Sequence, residues 1–350
     1  MDYRSLLNGE RKDASAFVQR VALRIATLPY RIVVWQRNRG FDRGRFEVHR
    51  ANVPVVSVGN ITTGGTGKTP LVCYVARHFR RQAIRVSIVS RGYGAKPGED
   101  NDEAMELADQ LPDVPHVQDA DRVEAARIAC DELETQVIVM DDGFQHRRLH
   151  RDLNIVVIDA TNPFGFGYFL PRGLLREPLS SLARGDIVVL SRSDMIDAEA
   201  KQRIREVVRR HAPDVGWAEA IHAPRSLMVW QEGERPIETI AGKRVAALCA
   251  IGNPEGFLQT LRGCGVDVVD SMTLGDHDAY DRQTIVQIEA WLRRLDDVSI
   301  EVVCTHKDLV KLQTGRLAGH RLCALLIEMR FVAGENDFRD SLDRIVQSSS

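Results

Sequence analysis

The chain of 350 residues lacks most of the features that mark special protein classes. No apolar run is long enough to cross a bilayer, and no signal-peptide core opens the N-terminus, so the chain is expected to be neither exported nor membrane-spanning. Its six cysteines form no C-x-x-C pair and no His/Cys cluster at zinc spacing. That pattern points to reduced thiols and away from a structural zinc. Neither sign of charge is in excess: Lys and Arg number 47 against 49 Asp and Glu, a net charge of -2. A balance of this kind excludes bulk nucleic-acid binding, and no nucleic-acid partner is expected. There is no internal repeat and no low-complexity segment. What remains is an ordinary globular composition, 44% hydrophobic and 27% charged, long enough for two domains with separate cores.

The most informative stretch is 54–72, PVVSVGNITTGGTGKTPLV. Its first residues form a β-branched run of the kind buried in a parallel sheet, and a glycine-rich turn follows. Gly64, Gly65 and Gly67 carry no Cβ and tolerate positive φ, so their N–H groups can converge on a phosphate chain. A helix opening near Gly67 adds orphan donors and the positive end of its dipole. Lys68 can reach β- and γ-phosphate oxygens, and the Thr69 hydroxyl can bind Mg²⁺. Thr62 occupies the position of the first glycine in G-x-x-x-x-G-K-[ST], but strand, turn and helix follow in the confirming order.

Further buried strands are expected at 84–89, 137–140, 155–158 and 187–190, with helices at 103–110, 121–133 and 204–211. Asp141 and Asp142 close the second of these strands. A carboxylate at such a tip can hold a Mg²⁺ water shell, and Asp141 ranks first for that role with Asp159 second; the alternative for either is a turn cap. Arg147, Arg148 and Arg151 either neutralise phosphates or decorate a solvated turn. After an expected hairpin of 227–229 with 237–240, a second alternation begins at 245. It gives strands at 245–251, 266–269, 301–304 and 322–329, with helices at 255–262 and 282–295, and a terminal helix follows at 338–346.

The first fifty residues break the neutral balance, with eleven Lys/Arg against five Asp/Glu. Phe17, Val21, Leu23, Ile25, Leu28, Ile32, Val33 and Trp35 alternate there with arginines. Such a helix either lies in the headgroup region of an anionic leaflet or packs on the core with a solvated basic face.

The segments SVGNITTGGTGKTP, SRGYG, DDGFQHRRLHRD, LPRGLLREP, AIGNP, GDHDAY and THKDLVK resemble the tetraacyldisaccharide 4'-kinases of lipid A biosynthesis over about residues 29–331. The resemblance implies an α/β fold: a P-loop NTPase-type parallel sheet with helices on both faces, plus a second, smaller α/β domain joined by a two-stranded linker. The division it implies is 1–224, a linker hairpin at 225–244, the smaller domain at 245–321 and a return at 322–350. It also implies ATP-dependent transfer to the 4'-hydroxyl of an acylated glucosamine disaccharide 1-phosphate. The enzyme would be attached peripherally to the cytoplasmic face of the bacterial inner membrane through its N-terminal helix. Thr62, Thr63, Gly64, Gly65, Thr66, Gly67, Lys68 and Thr69 correspond to the nucleotide loop, and Asp141 and Asp142 to its acidic pair. Asp102 and Glu103 fall in a Gly-Asp-Glu segment whose glycine is here Asn101, and Glu103 joins the metal set. His277 corresponds to an Asp-His segment, and Arg122 to a basic position near the phosphates. The family's Thr-Glu-Lys-Asp is here Thr305-His306-Lys307-Asp308.

On this reading Asp102 and His277 work as a pair, the carboxylate accepting the proton or orienting and the imidazole polarising it. Arg172 and Arg176 are candidates for the 1-phosphate. The alternative is a P-loop switch ATPase or GTPase of metallochaperone type, although the metal tract of such proteins is missing.

Overall fold

The computed structural model describes residues 3–92, 102–275, 278–295 and 297–347, with the side chains of residues 3, 4, 102 and 103 outside that description. The chain forms two compact units. The first comprises Met1–Arg91, Val114–Ile221 and Phe331–Ser350, and the second Gly92–Asp113 and His222–Arg330. Two long strands, Gly216–Val229 and His320–Ala333, carry the chain out of the first unit and back.

In the first unit a parallel sheet runs in the order His116–Gln118, Val86–Ser90, Val137–Asp141, Val55–Asn60, Leu153–Asp159, Ile187–Ser191 and the start of Gly216–Val229. The central strands are buried at every residue. That is why they read as unbroken β-branched runs rather than as alternations: both faces are covered. Helices Arg122–Glu132 and Ala198–His211 close one face over Val55, Ile138, Met140, Val156, Ile158 and Val188. Helix Lys68–Arg81 contacts the strands Val55–Asn60, Val86–Ser90 and Val137–Asp141 from the other side, and the terminal helix Glu335–Gln347 reaches Leu153–Asp159. The register places Val58 beside Asp141, so the end of the loop strand and the acidic tip share one edge.

The second unit holds the strands Asp267–Thr273, Arg244–Cys249, Glu301–Thr305 and His320–Ala333, again parallel. Phe257, Leu258 and Leu261 of helix Pro254–Gly263 pack into one apolar cluster. Ile288 and Leu292 of helix Arg282–Leu292 enter another, together with Leu309 of the short helix His306–Leu312. Helix Asp102–Gln110 belongs to this unit although the strands before and after it in the chain, Val86–Ser90 and His116–Gln118, lie in the first.

One expectation changes at the hairpin. Strand Gly216–Val229 is fourteen residues long, and its antiparallel partner is Gly233–Pro236, with Ser226 opposite Pro236. Residues 237–240 form a 3₁₀ turn instead of the returning strand. Glu219, His222 and Arg225 interrupt the apolar pattern of the long strand, which hid its first half from periodicity.

Candidate phosphate site

The glycine-rich loop lies wholly in the first unit and is fastened at both ends. At the tip of the loop strand, the Asn60 side-chain amide donates to the Thr66 hydroxyl at 2.8 Å, and the Asn60 carbonyl accepts from the Gln145 amide at 2.7 Å. The Ser191 hydroxyl donates to the Thr66 carbonyl at 2.7 Å. On the outer side Thr63 N–H donates to Leu174 O and Arg176 N–H to Ile61 O, both at 2.8 Å. These two bonds bracket the bridge between Thr62 and Leu175. Gly64 and Gly65 stay exposed between the fastenings. Gly64 and Gly67 sit at φ of 103° and 88°, a region that a Cβ makes costly. Gly67 precedes the helix Lys68–Arg81 and no side chain caps it, so the orphan N–H groups that begin any helix are left for an anion.

The acidic turn is seated directly on this strand. A Cβ at Gly59 would lie 2.5 Å from the Phe144 backbone nitrogen, so a glycine is needed there for the Asp-Asp-Gly-Phe turn to approach. Asp141 is 2% exposed and accepts from the Asp142 N–H at 2.8 Å. Asp142 adopts a left-handed φ of 49°, which turns its carboxylate toward the cations. Lys68 Nζ stands 3.5 Å from its Oδ1, and Arg176 Nη1 donates to both oxygens at 2.9 and 2.8 Å. Burial would raise the Asp142 pKa; Lys68, Arg176 and Arg122 outweigh it and hold the carboxyl at about 2.

Arg122 opens the helix Arg122–Glu132 and is 8% exposed. Burial pulls its pKa down while Asp142 and Asp141 pull the other way, and its buried Nε has no hydrogen-bond partner among the described residues. A buried guanidinium with an idle donor is costly. An incoming phosphate oxygen would relieve it. Three cations thus converge on two carboxylates. A polyphosphate would take over Lys68, Arg122 and Arg176, and would release Asp141 and Asp142 for a divalent cation. The donor set fits Mg²⁺, which takes one or two carboxylates and completes its shell with phosphate and water. Among the described residues no group of three or more His, Cys, Asp or Glu stands ready for a metal.

The other residues expected from the sequence fall as follows. His277 and the side chains of Asp102 and Glu103 lie outside the described residues. Asp159, the second-ranked carboxylate, is committed elsewhere: it pairs with Arg192 and accepts from the Thr161 N–H and hydroxyl. Arg147 bonds Asp42, Arg148 bonds Asp121, and Arg151 donates to the His146 carbonyl. These three arginines serve the frame of the turn. Arg172 is buried on the Leu7 carbonyl. Arg176 belongs to the phosphate site itself, a placement that only the pairing of 61–63 with 174–176 reveals.

The N-terminal helix Ala14–Asp42 is tied to the same region. Tyr30 donates to the Arg176 carbonyl at 3.0 Å, and Arg37 and Asn38 bond Glu177 at 2.8 and 3.0 Å. Glu177 is fully buried, with Arg184 as a further partner. Phe17, Val21, Ile25, Leu28, Ile32 and Trp35, at spacings of three and four, form one exposed stripe, each at least 42% accessible. Arg24 and Arg31 stack on Tyr168 and Phe169. No described helix is long and apolar enough to cross a membrane.

A family model described as tetraacyldisaccharide-1-P 4'-kinase matches residues 19–347. A tetraacyldisaccharide 4'-kinase of Anaeromyxobacter sp. (strain K) is 37% identical over 92% of this chain and 89% of its own length. That of Geobacter sulfurreducens is 35% identical over 94% of both. The crystal structure of LpxK from Aquifex aeolicus in complex with ATP matches with a TM-score of 0.71 at 28% identity, covering 92% of this chain and 99% of that one.

Proposed function

The chain belongs to the tetraacyldisaccharide-1-P 4'-kinase family, and from that premise we propose that it moves the γ-phosphate of ATP to the 4'-hydroxyl of an acylated glucosamine disaccharide 1-phosphate. The observation that carries the reading is the convergence of Lys68, Arg122 and Arg176 on Asp142 beside a fastened glycine loop.

Phosphoryl transfer is mainly positioning and charge neutralisation. The loop from Thr62 to Thr69 wraps the phosphates with backbone donors, and Lys68 and Arg122 draw charge from the transferring group. Thr69, Asp141 and Asp142, with Glu103 joining from the resemblance, would hold Mg²⁺, which when bound would supply further neutralisation of charge on the phosphates. Asp102 takes the proton of the attacking sugar hydroxyl and His277 orients that carboxylate. The lipid acceptor is met at a membrane surface: the exposed apolar stripe and the arginines of helix Ala14–Asp42 suit the headgroup zone of an anionic leaflet. On this reading the enzyme is a peripheral protein of the cytoplasmic face of the inner membrane.

The test is transfer from labelled ATP to the purified disaccharide, with Lys68→Ala as control. Label on the lipid that disappears in the variant supports the reading. ADP release that needs no lipid supports a switch ATPase and overturns it.

A further inference from the structure

The THKDLVK segment has no part in the phosphate site, yet it is bonded at both ends and along its cap. Thr305 and Asp308 form a reciprocal capping box at the start of helix His306–Leu312. Asp308 is fully buried, accepts from the Ala250 N–H at 3.2 Å and from the Thr305 hydroxyl at 2.6 Å, and faces the buried Tyr280. Burial, and then the Asp308 carboxylate, push the Tyr280 phenol up. This cap therefore sets a helix of only two turns rigidly in the core.

Both ends of that helix hold other elements. His306, 4% exposed, bonds Asp109 through Nε2 at 2.7 Å, and its Nδ1 faces Glu106 at 4.0 Å. Glu106 and Asp109 lie on one face of helix Asp102–Gln110, whose first residue is Asp102. The His306 bond is the leading cause that holds Asp109 below the ordinary carboxylate range. At the other end Lys311 Nζ donates to the Asp278 carbonyl at 2.7 Å, and the Asp278 carboxylate accepts from Tyr280 N–H at 2.8 Å. Asp278 follows His277 in the chain. The family segment has Glu where this chain has His306. A glutamate there would repel Glu106 and Asp109, so the grip on the helix is built around an imidazole.

We propose that helix His306–Leu312 is a positioning bracket for the proton-transfer pair, gripping the helix that starts at Asp102 through His306 and the residue beside His277 through Lys311. The inference rests on the reading of Asp102 and His277 as that pair. His306 and Lys311 touch neither substrate in this scheme. They act through the helix Asp102–Gln110 and the Asp278 carbonyl that they hold.

The test uses the full-length enzyme and steady-state transfer at saturating ATP and lipid. His306→Ala and Lys311→Met are each expected to lower kcat on the order of 10- to 100-fold, the cost of a small misplacement of a reacting group. The KM for ATP should not move. His306→Gln, whose amide can still donate to Asp109, is expected to recover most of the loss. In an Asp102→Ala background, His306→Ala should cost little more, because a bracket acts only through what it holds. Undiminished kcat in His306→Ala or in Lys311→Met overturns the proposal, and so does an equal loss in the Asp102→Ala background. If His306→Ala does not fold, Lys311→Met, alone and in the Asp102→Ala background, carries the same comparison. Full turnover in Asp102→Ala alone overturns the reading of the pair and the bracket with it; low turnover there with an unaffected His306→Ala overturns only the bracket.

Discussion

Lys68 and Asp142 face each other at 3.5 Å, and the same carboxylate holds Arg176 at 2.8 Å. The acidic turn therefore keeps the cations of the loop in place until phosphate oxygens replace it. Asp142→Asn should leave Lys68, Arg122 and Arg176 facing one another with Asp141 as the one remaining carboxylate. Transfer is expected to fall on the order of 10²- to 10³-fold, with a higher Mg²⁺ concentration needed for half-maximal rate. A Mg²⁺ titration of the purified variant checks this, and a wild-type midpoint would contradict it.

Acid should weaken the fold in two separable windows. His146 is pushed down from 6.5 to about 4 by burial and by Arg122. The unfolded chain then binds a proton that the folded chain refuses. Stability from neutral His146 is complete above about pH 6.5 and is lost as pH falls toward 4, by an amount on the order of 2–3 kcal/mol. Asp142, held at about 2 against an ordinary 3.8, adds a second decline between roughly those values. Urea midpoints measured from pH 7 to pH 4.5 should drop in the parent protein and flatten in His146→Gln. Identical slopes would show that His146 is not the source.

Glu177 has no exposed surface and gathers Arg37, Asn38 and Arg184. Glu177→Gln leaves the largely buried Arg184 guanidinium without its carboxylate and weakens the more exposed Arg37 pair, at a cost on the order of 3 kcal/mol. The helix Ala14–Asp42 loses its main polar anchor at the same time. A lowered melting temperature together with faster proteolysis inside residues 14–42 is expected; faster cutting elsewhere but not there would argue against the anchor.

The exposed stripe of that helix makes a quantitative claim about vesicles. Burying one isoleucine side chain contributes about 2 kcal/mol, which is more than tenfold in partitioning. Ile25→Asp and Ile32→Asp should each detach the protein from anionic vesicles in flotation. Raised salt should weaken binding of the parent protein. Flotation indifferent to both changes would remove the membrane assignment.

The parts of the site that sequence made legible are those built from local geometry. Strand, turn and helix follow one another within 54–72, and glycine is demanded by φ at Gly64 and Gly67. The acidic pair was legible because a buried run must end in something, and here it ends in Asp141 and Asp142. Ranking Asp141 above Asp159 needed only spacing, but the reason lies in Arg192, thirty-three residues away from Asp159, which no spacing argument reaches. Sequence offers Arg176 only for the 1-phosphate; its place beside Asp142 is out of reach for the same reason, because it depends on an isolated bridge between distant segments. The long strand Gly216–Val229 escaped because partly buried polar residues break its alternation.

The order of assembly follows from where the terminal helix goes. Strand Val55–Asn60 is flanked by strands that begin at Val137 and Leu153, so a growing polypeptide cannot seat it until about a hundred further residues have left the ribosome. Even then helix Lys68–Arg81 lacks its cover. His78 awaits Asp343 at 2.7 Å and Tyr74 awaits Glu335 at 2.7 Å. The helix behind the glycine loop is thus completed by a segment 261 positions further along the chain, and a nascent chain halted before Glu335 would present Tyr74 to chaperones in place of a finished surface.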